Sequence, residues 1–473
     1  MKRLFALVLA LGLSLGAVQQ ARAIDVVPSG VMDFVFVYSS GALWDQGFQE
    51  NPGGNGFDRF GARQRSRIQI DFIANENLRG VMMLQFGTWE WGDTDGSTWD
   101  GAGAALDTTN ESALVHRLYL DFNFPDSPVN MKMGLMDLVL PYATFGQPVF
   151  GNHVAAVTAT VGLNDNASLT GFWARPFRNT GSWTKNKNND MDVFGLWANL
   201  DYDSFSLAPW VSYASIGNNS GWWQREFFMD DADFQSLGWE FENSDWWGAG
   251  LALTVRPTDS LTVKFDGMYA ALENDARKGG SEAPEGGGYY FALAVDYAMD
   301  WGTPGIFAIY SSGDKAEKEG KFNRIASIAY DDAIWPTRMA FGGSLTCAND
   351  SYLSYTGSGM WLVGLQVADL SWIENVYHYA RVAYMRGTNH VDSQIADPTS
   401  WGQVPVLGNY IPLVKEDQVW EFGFDTYWQM YENLTVGLEL GYMHFDATSK
   451  NNRDDRFDRE GVFSGNLIFR FGF

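Results

Sequence analysis

The sequence predicts an all-β protein, a transmembrane antiparallel β-barrel of 18 strands, and three observations predict it. Apolar residues alternate with small or polar ones in segments of about ten residues, the repeat and length a bilayer-crossing strand requires. The connections between those segments alternate short and long. No long uninterrupted apolar run follows the first 23 residues, and the mean hydropathy is −0.20. A β-sandwich also alternates, but it gives no reason for connections that alternate in length. Loss of the weak hairpin at 154–176 would leave 16 strands.

The chain opens on MKRLFALVLALGLSLGAVQQARA, with Lys2 and Arg3 ahead of an apolar run from Leu4 to Val18 and the small-x-small site Ala21-Arg22-Ala23. This is the pattern of a secretory signal peptide over residues 1–23, followed by one barrel domain over 24–473. Cleavage would remove Lys2, Arg3 and Arg22, leaving the mature chain three charges more acidic than the full chain's −25. Such acidity argues against a nucleic-acid partner, which needs a basic face. The single Cys347 excludes an intrachain disulfide. The aromatic content of 15% without long apolar runs excludes a bundle of membrane helices.

Strands are expected near 25–38, 63–74, 79–91, 112–123, 129–137, 154–162, 168–176, 190–200, 205–216, 246–256, 261–272, 288–299, 305–313, 358–369, 376–387, 418–429, 434–446 and 461–473. An even number puts both ends of the mature chain on the periplasmic side. In the second, Arg63, Arg65, Arg67, Gln69 and Asp71 share one face while Ile68, Ile70 and Phe72 share the other. The arginine face must point inward, because a lipid-facing arginine at the midplane costs about 2–4 kcal/mol. In the third and fourth strands, Arg79 and Gln85 oppose Met82, Leu84 and Phe86, while Arg117, Tyr119 and Asp121 oppose Leu118, Leu120 and Phe122. With Lys132 on the fifth strand, Arg63, Arg65, Arg67, Arg79 and Arg117 are expected to line the pore. The alternative for each is a structural pair with a nearby carboxylate.

Further along, Leu261, Val263, Phe265 and Tyr269 oppose Thr262, Lys264 and Asp266, and Tyr289, Phe291, Leu293 and Val295 oppose small or acidic residues. Trp420, Phe422, Phe424 and Trp428 alternate with Glu421, Gly423, Asp425 and Gln429; after the turn YENL, Leu434, Val436, Leu438, Leu440 and Tyr442 alternate with Thr435, Gly437, Glu439 and Gly441. The short connections are NENL (75–78), NDNA (164–167), DYDS (201–204), PTDS (257–260) and YENL (431–434). Longer segments at 92–111, 217–244, 314–356 and 389–417 are expected to be external loops.

Acidic runs at 229–234, 317–321 and 454–460 fall in those loops or beside them and read as solvated faces, with divalent-ion bridging to lipopolysaccharide as the functional alternative. Asp93, Asp95 and Asp100 surround Gly96 but lack the ligand spacing and terminal Glu of a calcium loop. No metal or cofactor is expected. The pairs Trp222-Trp223 and Trp246-Trp247 read as interface or loop aromatics ahead of sugar-stacking platforms. No nucleophile, zinc or nucleotide motif occurs, and His116, His153, His378, His390 and His444 are scattered singly, so no enzyme is expected.

The chain ends GNLIFRFGF, with Leu467, Phe469, Phe471 and Phe473 on one face. This alternation closing on a C-terminal phenylalanine is similar to the terminal strand that bacterial outer-membrane barrels present to their assembly machinery. With the signal segment, strand number and loop pattern, the chain resembles trimeric general porins over almost all its mature length. More narrowly, the start of the mature chain and the hairpin DFIANENLRGVMMLQFGTWEWG (71–92) resemble the homotrimeric outer-membrane porins of sulfate-reducing bacteria. The resemblance implies a homotrimer in the outer membrane of a Gram-negative bacterium, in contact with lipid and lipopolysaccharide. It also implies passive diffusion of ions and small hydrophilic solutes, with a substrate-selective channel as the alternative. A third loop that narrows the pore is implied too, matching Leu138 to His153, with Pro141, Tyr142, Gly146, Gln147, Pro148 and Gly151 in it; an ordinary external loop is the alternative. That stretch contains no Asp or Glu, so acids for a transverse field must come from elsewhere.

Overall fold

The computed structural model describes residues 24–40, 59–92, 104, 113–178, 190–217, 243–274, 277–278, 281–282, 285–316, 321–328, 335–346, 353–354, 356–393, 412–450 and 461–473. The signal segment, the acidic runs at 229–234 and 454–460, residues 317–320, Asp93, Asp95, Asp100, Trp222, Trp223 and Cys347 lie outside the described residues.

Eighteen long strands form the wall: β1 (Asp25–Ser39), β2 (Arg59–Asn75), β3 (Leu78–Glu90), β4 (Ala113–Asn123), β5 (Val129–Val139), β6 (Gly151–Asn164), β7 (Ala167–Phe177), β8 (Met191–Tyr202), β9 (Phe205–Ile216), β10 (Ser244–Val255), β11 (Leu261–Asn274), β12 (Glu285–Tyr297), β13 (Thr303–Ser311), β14 (Met360–Ile373), β15 (Val376–Gly387), β16 (Gln418–Tyr431), β17 (Leu434–Asp446) and β18 (Gly461–Gly472). Each pairs antiparallel with its neighbours in sequence, and β1 closes on β18 from Val31 opposite Gly472 to Ser39 opposite Ser464. All 18 expected strands are present, and the hairpin at 154–176 is β6 and β7. A two-residue segment, Lys321–Phe322, adds parallel to the start of β12.

The connections at one end are tight because their residues satisfy the turn backbone. Asn75 and Asn164 each accept the N–H two residues on, Asn77 at 2.8 Å and Asn166 at 2.9 Å. Asn375 takes φ +62°, a conformation asparagine tolerates better than most residues.

The expected faces hold around the wall. Phe422 and Phe424 on β16, and Leu438 and Tyr442 on β17, point out, while Glu421 and Glu439 are fully buried inside. The interior departs from the expectation of a polar, watery face. At the loop end, inward residues from β5 round to β18, among them Met136, Phe172, Met191, Trp246, Tyr290, Phe307, Met360, Met385, Val419 and Val462, join one buried apolar cluster. The cluster takes no buried member from β1–β4. The 314–356 connection, expected to be external, supplies the other side of this core: Ile325, Ala326, Ile328, Met339, Ala340, Phe341 and Leu353 are buried in it. The physical reason is that a chain this apolar is more stable packed against the inward wall than in water.

Closure depends on close approach. The Gly30 N–H donates to the Phe473 carbonyl at 2.8 Å and the Phe473 N–H to the Gly30 carbonyl at 3.1 Å, so the last residue extends the β1–β18 seam. A Cβ on Gly30 would stand 2.6 Å from the Phe473 ring and 2.6 Å from the Arg67 carbonyl oxygen. Phe469 meets Phe36 edge-on at 6.4 Å, and Phe471 stacks on Phe473 at 6.0 Å on the outer wall. Gly30→Val should therefore destabilise the folded barrel by about 1–3 kcal/mol, as overpacking does, read from urea unfolding. Phe473→Asp should leave export intact and lower the yield of heat-modifiable barrel several-fold; normal yield in that variant would sever the terminal phenylalanine from assembly.

Candidate functional site

Loop 3, the connection 140–150, turns into the barrel. Its neck is held by the Leu140 N–H donating to the Phe150 carbonyl at 3.1 Å. Gln147, fully buried, braces it: its amide donates to the Pro141 carbonyl at 3.2 Å and its oxygen accepts the Val149 N–H at 3.2 Å. Pro141 and Pro148 bring no N–H that would need a partner inside the wall. Gly146 takes φ +136°, which a side chain rarely adopts. Gly151 starts β6 beyond the turn, and Tyr142 stays exposed.

The tip reaches across to β11. There Asp266, fully buried, accepts the Ala143 N–H at 2.7 Å, the Thr144 N–H at 2.8 Å and the Thr144 hydroxyl. Phe145 packs edge-on against Phe307 of β13 at 5.7 Å.

Loop 7, the connection from β13 to β14, is fastened the same way. Glu421 of β16 accepts the Met339 N–H at 2.7 Å, the Ala340 N–H at 3.0 Å and the Thr337 hydroxyl at 2.5 Å. Glu439 of β17 accepts the Leu345 N–H at 2.9 Å and the Ser344 hydroxyl at 2.8 Å. Arg338 donates to the Ser464 carbonyl of β18 at 2.7 Å, Arg470 donates to the Leu345 carbonyl, and Trp246 donates to the Ala326 carbonyl at 2.9 Å. The two loops also bond each other, Ile328 N–H to the Val149 carbonyl and Trp335 N–H to the Phe145 carbonyl, both at 3.0 Å.

The sector that the apolar cluster leaves free carries the arginines. Arg65 meets Asp33 of β1 at 3.2 Å, and Arg470 approaches the other oxygen of Asp33 at 3.5 Å. Arg63 lies 3.9 Å from Glu90, and Arg67 donates to Gln85 at 2.7 Å. Arg79 bonds Asp121 at 2.8 Å, with Lys132 opposite Asp121 in register. Arg117 bonds Asp137 and donates to Gln69 at 2.9 Å. The backbone ladder between β4 and β5 stops at Leu118 and Leu135. Beyond it the two strands are linked by side chains, with Arg117 on Asp137, His153 on Asp137 at 2.9 Å, and His116 on His153 at 3.0 Å.

The six cations named from the sequence thus sit side by side on β2–β5, most of them beside carboxylates; the terminal phenylalanines are on the opposite, outer face. Sequence reasoning missed the fasteners Asp266, Glu421 and Glu439. Their inward facing was legible from alternation, but their partners are backbone groups of loops, which carry no residue signature. Of the paired tryptophans, Trp246 holds loop 7 inside, while Trp247 packs against Tyr269 on the outer wall at 5.1 Å.

No protein-family model and no curated protein matches the chain. Solved structures match it in fold. A BenF-like porin from Pseudomonas fluorescens Pf-5 is 13% identical with TM-score 0.51 over 95% of this chain and 98% of that one. Acinetobacter baumannii OccAB3 is 10% identical with TM-score 0.51 over 94% and 99%. Pseudomonas aeruginosa OpdK with vanillate is 10% identical with TM-score 0.51 over 94% and 98%. At these identities the likeness is one of fold, the closed barrel of bacterial porins. It lends nothing to the narrower resemblance drawn from the 71–92 hairpin, nor to a trimer.

Asp266→Ala should release loop 3. Two backbone donors would lose their partner, at about 1–3 kcal/mol each where they stay buried, so the tip should leave β11. The expected outcome is larger and noisier single-channel current with the barrel still folded; current identical to the parent would show that Asp266 does not govern the opening.

Proposed function

We propose that the protein is an outer-membrane porin, a water-filled channel for ions and small hydrophilic solutes, with loops 3 and 7 forming its constriction and the β2–β5 arginine wall lining the path. One observation carries this reading: the loop-end apolar cluster spans β5 to β18 but takes no buried member from β1–β4, and Arg63, Arg65, Arg67, Arg79 and Arg117 sit side by side in that sector, most of them beside carboxylates. Water and ions prefer such a wall to an apolar one. Pro141, Tyr142, Gly146, Gln147 and Gly151 belong to the constriction in this reading, and Phe469, Phe471 and Phe473 to the signal read by the assembly machinery. Residues 1–23 direct export.

The tightly fastened pair of loops favours the substrate-selective form over general diffusion, because an opening bounded by bonded backbone has a defined shape. OpdK, similar in fold, is a case in which a small solute, vanillate, is held. A homotrimer follows from the resemblance to trimeric porins and is not needed for conduction, since one chain closes its own barrel.

Planar-bilayer recording of the purified protein tests the reading. Steps of ion current are expected, with saturable block by a preferred solute; linear, unblocked flux would favour general diffusion, and no current would end the channel reading. Arg63, Arg65 and Arg67 jointly changed to Gln should shift the salt-gradient reversal potential toward cations. The wall acts on ions at close quarters, whereas loop charges are screened within about 8 Å at physiological salt. An unchanged potential would make these arginines purely structural partners of their carboxylates.

A further inference from the structure

On the outer wall, at the loop ends of β11–β15, lies a cleft of about 590 Å³. Its aromatic lining is Tyr269, Tyr289, Tyr310 and Trp361, three of them tyrosines exposed on the outward face. Its basic lining is Lys315, Arg386 and Lys415.

Three cations in one cleft are unexpected on a chain of net charge −25, and their neighbours sharpen the point. One acid, Asp314, also lines the cleft, and it and the nearby Glu416 and Glu285 are engaged by other cations. Asp314 bonds Arg324 at 2.8 Å and the Asn323 N–H at 2.8 Å, Glu416 bonds Lys450 at 2.6 Å, and Glu285 bonds Lys321. Among the described residues, none of Lys315, Arg386 and Lys415 has a carboxylate partner. Arg386 is oriented by donating from one Nη to the Lys415 carbonyl at 2.5 Å, and its buried Nε has no partner among the described residues. Outward tyrosines and tryptophans at a barrel end mark the depth of lipid headgroups. Cations at that end of an aromatic belt stand at the level of headgroup phosphates, which guanidinium and ammonium groups bind strongly.

We propose that this cleft seats a phosphate of the phosphorylated glycolipid headgroup of the outer leaflet, with the aromatic rings against its sugar and acyl roots. The assignment rests on the outer-membrane reading above for its orientation. It differs from the sequence-based expectation, in which loop acids reach such lipid through divalent ions: here side-chain cations do so directly.

Native mass spectrometry of the folded protein in detergent, with diphosphorylated lipid A, its dephosphorylated form or inorganic phosphate added, tests the assignment. One lipid A per chain should be retained, with at least tenfold lower retention of the dephosphorylated lipid and no comparable retention of inorganic phosphate. Lys315→Gln, Arg386→Gln and Lys415→Gln together should lower lipid A retention at least tenfold, with heat-modifiability and single-channel current as in the parent; Arg386→Lys alone should keep most of the binding. Equal retention by the folded triple variant, or of the dephosphorylated lipid, would overturn the assignment, and tight binding of inorganic phosphate alone would make the cleft a free-anion site instead. Absence of current in a parent that still retains lipid A would count against the channel reading and leave the cleft standing.

Discussion

A backbone N–H placed inside a barrel wall must find an acceptor, and the interior of this protein is organised by that requirement. Loops 3 and 7 leave water with their donors unpaired, and three wall carboxylates, Asp266, Glu421 and Glu439, receive them. Each carboxylate offers two oxygens to adjacent donors, so the bonds are charge-assisted and directional. Burying a carboxylate is costly without such partners. The carboxylates and the loops therefore satisfy each other, and neither arrangement would persist alone.

The same exchange explains how an acidic chain keeps a cationic wall. Asp266, Glu421 and Glu439, facing inward on β11, β16 and β17, bond loop backbone, while Arg63, Arg65, Arg67, Arg79, Arg117 and Lys132 on β2–β5 lie with a separate set of carboxylates, Asp33, Glu90, Asp121 and Asp137. Where the β4–β5 ladder stops, Arg117, Asp137, His153 and His116 supply the link that backbone bonds do not. In the channel proposed above, charge serves the shape of the passage as well as its potential, and net charge alone describes neither.

Much of the fold was legible because the strand period is two and the wall has two unlike sides. Glu421 between Trp420 and Phe422, or Glu439 between Leu438 and Leu440, announces which way each strand faces. Alternation at 63–72 placed the arginines on one face, and the asparagines of NENL and NDNA announced turns that the structure builds with their side chains. The functional interior was legible only in part. Arginines and acids could be assigned to the inward face, but which acid would meet an arginine and which a loop backbone depends on pairs as distant as Asp266 with Thr144, for which the sequence carries no spacing rule.

By itself, then, the sequence determined the barrel, the places of its strands with 16 as the alternative to 18, the two faces of the clearly alternating strands and the end at which the long connections lie, because these follow from local periodicity and turn chemistry. Only the tertiary structure decided that loop 7 folds inward rather than out, that an apolar cluster fills the loop end of the interior from β5 to β18, and that Lys315, Arg386 and Lys415 converge on one outer cleft. Those outcomes depend on closure, which brings strands far apart in the chain around one enclosed space, and an apolar loop segment such as that around Met339–Phe341 has no preference for that space until the wall that surrounds it exists.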